Sequence, residues 1–230
     1  MNRSICAILL AAMLSLAAAA QQAPQTPQKL ELPGLPSGQS WRHTPVSAEA
    51  KDGVLTIAAG ANTNWLISPF DGATDDNAPT LLVPVQGDFV LSAKITHDFD
   101  SLWDAGALVL FANDTTWAKF CFEKSDRGNP TVVSLVTRGL SDDSTAYAVQ
   151  GHSIYFKIAK VGKVFFFYAS GDGRKWTTIR LFTLNEGKDY KPGELRVGFL
   201  AQSPRGKGAS VRFERIQFTP HQIADMWSGE

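Results

Sequence analysis

Ten short segments rich in Val, Ile, Phe or Thr follow one another along this chain at intervals of roughly ten residues. They read "GVLTIAAG", "GDFVLSAKITHDF", "GALVLFAN", "TTWAKFCFEKS", "PTVVSLVTRG", "HSIYFKIAKVG", "KVFFFYAS", "WTTIRLF", "ELRVGFLAQS" and "SVRFERIQF". Gly, Asp, Asn or Pro separates them, and past the N-terminal apolar run no stretch of helical length repeats near 3.6 residues. Several alternate cleanly. In 89–95, Phe89, Leu91, Ala93 and Ile95 face one way while Val90, Ser92 and Lys94 face the other. In 154–158, Ile154, Phe156 and Ile158 oppose Tyr155 and Lys157. The alternation slips at Glu214–Arg215, which predicts a bulge. Strands with one apolar face must bury it against another sheet. The expected fold is therefore all-β, an antiparallel sandwich of two sheets.

The two ends read differently. "MNRSICAILLAAMLSLAAAAQQ" has Arg3, an apolar run and then small residues, the pattern of a secretory signal peptide cut after Ala20. Cys6 precedes the apolar run, so lipid attachment at a cleavage site is not expected. Residues 21–38 are rich in Gln and Pro and read as a linker. The folded domain is expected over 39–220, with 221–230 as a short tail in which Trp227 is the residue suited to tuck it against the body. The expectation is an exported protein, periplasmic or secreted, with no membrane span left after cleavage.

Without residues 1–20 the chain keeps 21 basic and 22 acidic residues, since only Arg3 is lost. That balance gives no reason to expect nucleic acid as a partner. Cys121 is then the one remaining thiol, so no internal disulfide can form. It reads as a small covered side chain rather than a nucleophile, because no His lies near it in sequence. "SGDGRKW" resembles an Asp-box but is one residue short. It reads as a hairpin turn whose Trp176 packs back on the sheet.

The segments "GVLTIAAGANTNWLISP", "VQGDFVLSAKI", "DAGALVLFANDTTWAKFCFE", "FYASGDGRKW" and "VGFLAQSPRGKGASVRFERIQF" occur in the order found in the DUF1349 family. The resemblance runs from Trp41 to Phe218. It implies a jelly-roll sandwich of the concanavalin A-like lectin and glucanase kind, and a fold rather than an activity. Family members often read W-V-K-A-G-I-E where this chain has Trp117-Ala118-Lys119-Phe120-Cys121-Phe122-Glu123. The Trp, Lys and Glu persist, and Cys121 replaces Gly.

In sandwiches of that kind the hollow face of one sheet holds the ligand. Alternation would aim Trp117, Lys119 and Glu123 at that face and send Phe120 and Phe122 into the core. An indole stacks on the C–H face of a pyranose, worth ~1–3 kcal/mol by analogy with other aromatic stacking. Charged groups bind hydroxyls. Trp65, Trp103, Asp104 and Arg138 are candidate neighbours. Each has a plainer reading. Trp117 and Trp65 also suit packing roles, Lys119 and Glu123 a solvated face, and Arg138 a solubilising strand end.

The expected function is non-catalytic saccharide binding on the concave sheet, with a protein-binding or adhesive module as the alternative. A glycoside hydrolase is the third class. It would need two carboxyls, and this chain lacks the E-x-D-x-x-E run of the superfamily's glucanases. Glu123 would have to work with an acid of the 98–104 loop, where Asp98, Asp100 and Asp104 cluster. No catalytic residue is assigned. No metal or other cofactor is expected: His43, His97, His152 and His221 stand singly, and the acidic loops "DGATDDN" and "SDDS" lack ordered ligand spacing.

Overall fold

The computed structural model describes residues 30–230. The signal-peptide reading of 1–20 and the first half of the linker reading, 21–29, lie outside the described residues. Within them there are sixteen strands and no helix. They are β1 (Ser40–Arg42), β2 (Ser47–Lys51), β3 (Val54–Gly60), β4 (Trp65–Ile67), β5 (Thr74–Asp76), β6 (Thr80–Pro84), β7 (Phe89–His97) and β8 (Ala105–Asn113). There follow β9 (Thr116–Lys124), β10 (Pro130–Arg138), β11 (Leu140–Ala148), β12 (Ser153–Val161), β13 (Val164–Ser170), β14 (Thr177–Thr183), β15 (Arg196–Gln202) and β16 (Gly208–Thr219).

Two antiparallel seven-stranded sheets form a jelly-roll sandwich. The first has the order β1-β6-β15-β8-β9-β10-β11 and the second β14-β13-β12-β7-β16-β3-β2; β4 and β5 make a separate hairpin. All ten apolar segments are strands. The sequence pattern did not mark β11, whose "LSDDSTAYA" is almost wholly exposed at the edge of the first sheet. An edge strand with two wet faces has no apolar period to detect.

The inner faces meet in a core dominated by aromatic rings. Phe120 of β9 stacks on Phe156 and Phe167 of the second sheet with centroids 3.8 and 4.7 Å away. Burying each such ring contributes ~1.5–3 kcal/mol. Strand β7 follows its expected alternation, with Phe89, Leu91, Ala93 and Ile95 inward. The expected bulge is present: the pairing of β16 with β7 shifts between Glu214 and Gln217, and Arg215 takes a φ of 53°.

The hairpin after β13 is built by Asp172, whose carboxylate accepts the N–H groups of Arg174 and Lys175 and so is held down to about 2. Trp176 packs back as expected, with the Lys157 ammonium 3.9 Å from its ring centroid. The tail docks on the outer face of the second sheet. Ile223 is buried there and Tyr168 Oη donates to the Met226 carbonyl at 2.7 Å, whereas Trp227 stays exposed.

Candidate functional site

On β9 the period-2 rule holds, but the outer face is partly covered as well. Ala118, Phe120 and Phe122 point into the core, and Trp117, Lys119, Cys121 and Glu123 point to the outer face of the first sheet. Cross-strand pairing extends that row: Lys119 opposes Leu135 of β10, which opposes Asp143 of β11. Alternation therefore places the expected side chains on one face. It does not leave that face open.

The segment between β3 and β6 folds over part of it. Hairpin β4–β5 is fastened by the Ile67 N–H, which donates to Ser141 Oγ at 3.1 Å, and by a bridge between Thr63 and Ser203. Under the hairpin a second apolar cluster forms, with Trp65, Ile67, Trp117, Cys121 and Leu135 among its members. Trp65 and Trp117 stack with centroids 4.5 Å apart, and Trp117 is 0% exposed. Arg42 closes the other side, 5.6 Å over the Trp65 ring and ion-paired to Asp76 and Asp114. Cys121 is buried in the same cluster, and burial pushes its thiol far up, so it is inert.

Four expected ligand contacts are corrected here. Trp117 and Trp65 face each other rather than a ligand, because the hairpin supplies Trp117 with a partner that the strand pattern cannot reveal. Asp104, also 0% exposed, spends its carboxylate on loop structure: it accepts from Ser203 Oγ at 2.7 Å and from the Ser101 N–H at 2.8 Å. Arg138 is exposed and donates to the Thr183 carbonyl at 3.2 Å, outside the cleft described next. Asp98 and Asp100 are likewise exposed and do not line it.

Beyond the hairpin the outer face opens into a cleft of about 710 Å³. Lys119, Glu123, Leu135 and Asp143 form its floor; Trp103, Gln202 and Arg205 line one end, and Leu66, Phe70 and Asp75 of the hairpin line it as well. Lys119 is 2% exposed, with its Nζ donating to Gln202 Oε1 at 2.9 Å. Gln202 Nε2 in turn donates to the Trp103 carbonyl at 3.2 Å. Trp103 sits at a φ of 65° and its N–H donates to the Lys124 carbonyl. A bulky residue in that region stores strain on the order of 1–3 kcal/mol, which the Asp104 network holds in place. The Arg205 guanidinium lies 5.2 Å over the Trp103 ring.

The charges do not pair off. Glu123 makes no hydrogen bond or salt bridge among the described residues. Burial pushes its carboxyl up to about 8; the Lys119 ammonium opposes the rise and the Asp143 carboxylate adds to it. The cleft walls raise Asp143 too, again against the pull of Lys119. A nearly buried ammonium bonded to one amide thus shares the cleft floor with a carboxyl bonded to none. That arrangement can accept from and donate to a polar ligand, and at neutral pH Glu123 can hold a proton. Among the described residues no group of three or more His, Cys, Asp or Glu is placed to hold a metal ion.

Asp143, Gln202, Arg205 and Phe70 were not among the expected site residues. Asp143 lies on the polar edge strand, and Gln202 and Arg205 follow from β15 pairing with β8. A sequence signal existed only for Phe70, an apolar residue in a Pro-Phe-Asp-Gly loop.

A profile of the family described as "Protein of unknown function (DUF1349)" matches residues 41–221. "Regulation of enolase protein 1" of Saccharomyces cerevisiae is 26% identical over 181 residues, spanning 78% of this chain and 88% of the yeast protein. A crystal structure of a functionally unknown S. cerevisiae protein superposes with a TM-score of 0.72 at 24% identity, over 80% of this chain and 97% of that one. A GH43 protein of Bacillus licheniformis gives 0.59 at 14% identity, over 74% of this chain but only 34% of that one. The alginate lyase of Klebsiella pneumoniae gives 0.51 at 13% identity, over 77% and 84%. The structural likenesses establish the fold alone.

Proposed function

This chain belongs to the DUF1349 family, and from that premise we propose that it is an exported, non-catalytic module that binds a saccharide in the cleft on the outer face of its first sheet. The observation that carries the reading is the placement of Lys119 and Glu123, unpaired with each other, on the floor of the cleft that Trp103 also lines. Lys119 Nζ has donors to spare after its bond to Gln202. Glu123 has no partner. A sugar hydroxyl both accepts and donates, so neighbouring hydroxyls satisfy both groups at once, while the indole of Trp103 offers an apolar face to the ring. Asp143 and Gln202 join the ligand set; Trp117, Trp65 and Asp104 serve it by holding the hairpin and the Trp103 loop. The resemblance to concanavalin A-like sandwiches supports the choice of a sheet face, and the names of a GH43 protein and an alginate lyase among the similar sandwiches support the choice of a saccharide. Export rests on the pattern of residues 1–20.

A second reading is a protein-binding module, favoured by the name of the yeast relative, which refers to an effect on another protein. Hydrolysis has lost the partner first expected for Glu123, because the acids of the 98–104 loop do not line the cleft.

The test is a glycan array followed by titration of Trp fluorescence. Wild type is expected to bind a saccharide saturably. Trp103→Ala is expected to weaken binding ~10-fold, as removal of one stacking ring does, and Lys119→Met to weaken it further with the fold retained. An array with no saccharide bound would overturn the reading. Reducing sugar released over time, and abolished in Glu123→Gln, would replace it with a hydrolase.

A further inference from the structure

Phe70 is 97% exposed, yet it lines the cleft. It sits at the tip of the β4–β5 hairpin, and that tip is well ordered by its own bonds. Ser68 N–H donates to the Ala73 carbonyl and Gly72 N–H to the Ser68 carbonyl, at 2.8 and 2.9 Å. Phe70 N–H donates to Ser68 Oγ at 3.3 Å, and Ala73 N–H to Asp71 Oδ1 at 3.1 Å. The Ser68 side chain, and after it the Ala73 N–H, hydrogen-bond the Asp71 carboxylate and hold it below the usual carboxylate range. A single exposed apolar residue is unremarkable on a surface. A phenyl ring carried on a hydrogen-bonded loop at the rim of a polar cleft is a stacking surface whose backbone is already in place, which lowers the ordering cost on binding.

Its position relative to Trp103 sets the length of what can bind. Trp103 directly precedes β8 and bonds Lys124 of β9 and Gln202 of β15. Phe70 follows Ile67, which is bonded to Ser141 of β11. The sheet order from β8 to there is β8-β9-β10-β11. Three inter-strand steps of about 4.8 Å separate them by ~14 Å, more than the width of one pyranose ring. Lys119, Glu123 and Asp143 lie on the floor between the two aromatic rims.

We propose that the cleft takes an extended oligosaccharide running across the strands, with one unit stacked on Trp103 and a unit several residues away stacked on Phe70. This rests on the saccharide reading above. The charged floor then binds the hydroxyls of the intervening units.

The experiment is a length series of β-1,4-linked xylo-, cello- and manno-oligosaccharides of one, three and six units, titrated against wild type, Phe70→Ala and Phe70→Tyr. For the series that binds, wild-type affinity is expected to rise ~10-fold or more from one unit to six. Phe70→Ala is expected to erase that gain while leaving single-unit affinity and Tm unchanged, since the side chain buries nothing. Phe70→Tyr is expected to keep it. Affinity independent of length in wild type, or an unchanged six-unit affinity in Phe70→Ala, overturns the proposal while the saccharide reading stands. No binding by any member of the three series, with other glycans bound on the array, overturns it for β-1,4-linked chains. A wild type that binds no saccharide at all removes both.

Discussion

Trp117→Ala is expected to cost about 3–5 kcal/mol of stability, the range for removing a fully buried large aromatic, and to lower Tm by about 10 °C for a domain of this size. The ring has no exposed surface and one face is stacked on Trp65. Its loss opens a cavity in the outer cluster and leaves Trp65 without the partner that anchors hairpin β4–β5. The hairpin carries one wall of the cleft, so ligand binding should weaken as well, through a displaced wall rather than a lost contact. A second variant tests that link. Trp117→Phe keeps most of the packing and gives up only an indole N–H that has no hydrogen-bond partner. It should recover most of the stability and the binding together. Chemical denaturation followed by circular dichroism reads the first, and fluorescence titration the second. A Trp117→Ala protein as stable as wild type, with binding selectively lost, would restore Trp117 to the ligand set.

Glu123→Gln is expected to do the opposite, and increasingly so as pH rises from about 4.3 to about 8. The native carboxyl titrates near 8 because burial disfavours its charge, whereas in an unfolded chain it titrates near its ordinary value of about 4.3. Between those values the folded protein holds a proton that the unfolded chain has released. Stability therefore falls as pH rises from about 4.3 to about 8, and the full cost is present above 8. At face value a shift of this size is several kcal/mol, but the side chain is part-exposed to cleft water, which screens it. The expected gain for the amide at pH 9 is on the order of 2 kcal/mol. At pH 4 the two proteins should be nearly equal. Asp143 titrates in both, so the difference between them isolates Glu123. Parallel stability–pH curves for the two would mean that Glu123 is ordinarily solvated. A residue that lowers stability at its working pH is a candidate for function, since packing alone gives no reason to keep it.

The strand pattern was legible because it is local. Phe120 and Phe122 turn inward and Lys119 and Glu123 outward for the same period-2 reason, and no partner strand is needed to know it. The bulge at Arg215 and the turn at Asp172 were legible for similar reasons, as a broken period and as residues suited to left-handed dihedrals. The candidate site was legible in part. Trp103, Lys119 and Glu123 do line one cleft; Trp65, Trp117, Asp104 and Arg138 do not. Nothing in "TTWAKFCFE" distinguishes an indole open to ligand from one roofed by another indole fifty residues earlier.

By itself, then, the sequence determined that the chain forms an antiparallel sandwich and which side chains of β9 share a face, because backbone pleating makes facing a property of neighbouring residues. Only the tertiary structure decided which half of that face is open. The hairpin that covers Trp117 is fastened through a bond between residues 74 apart in the chain, Ile67 and Ser141. Such a contact depends on where the strands carry the chain, and residue spacing alone does not encode it.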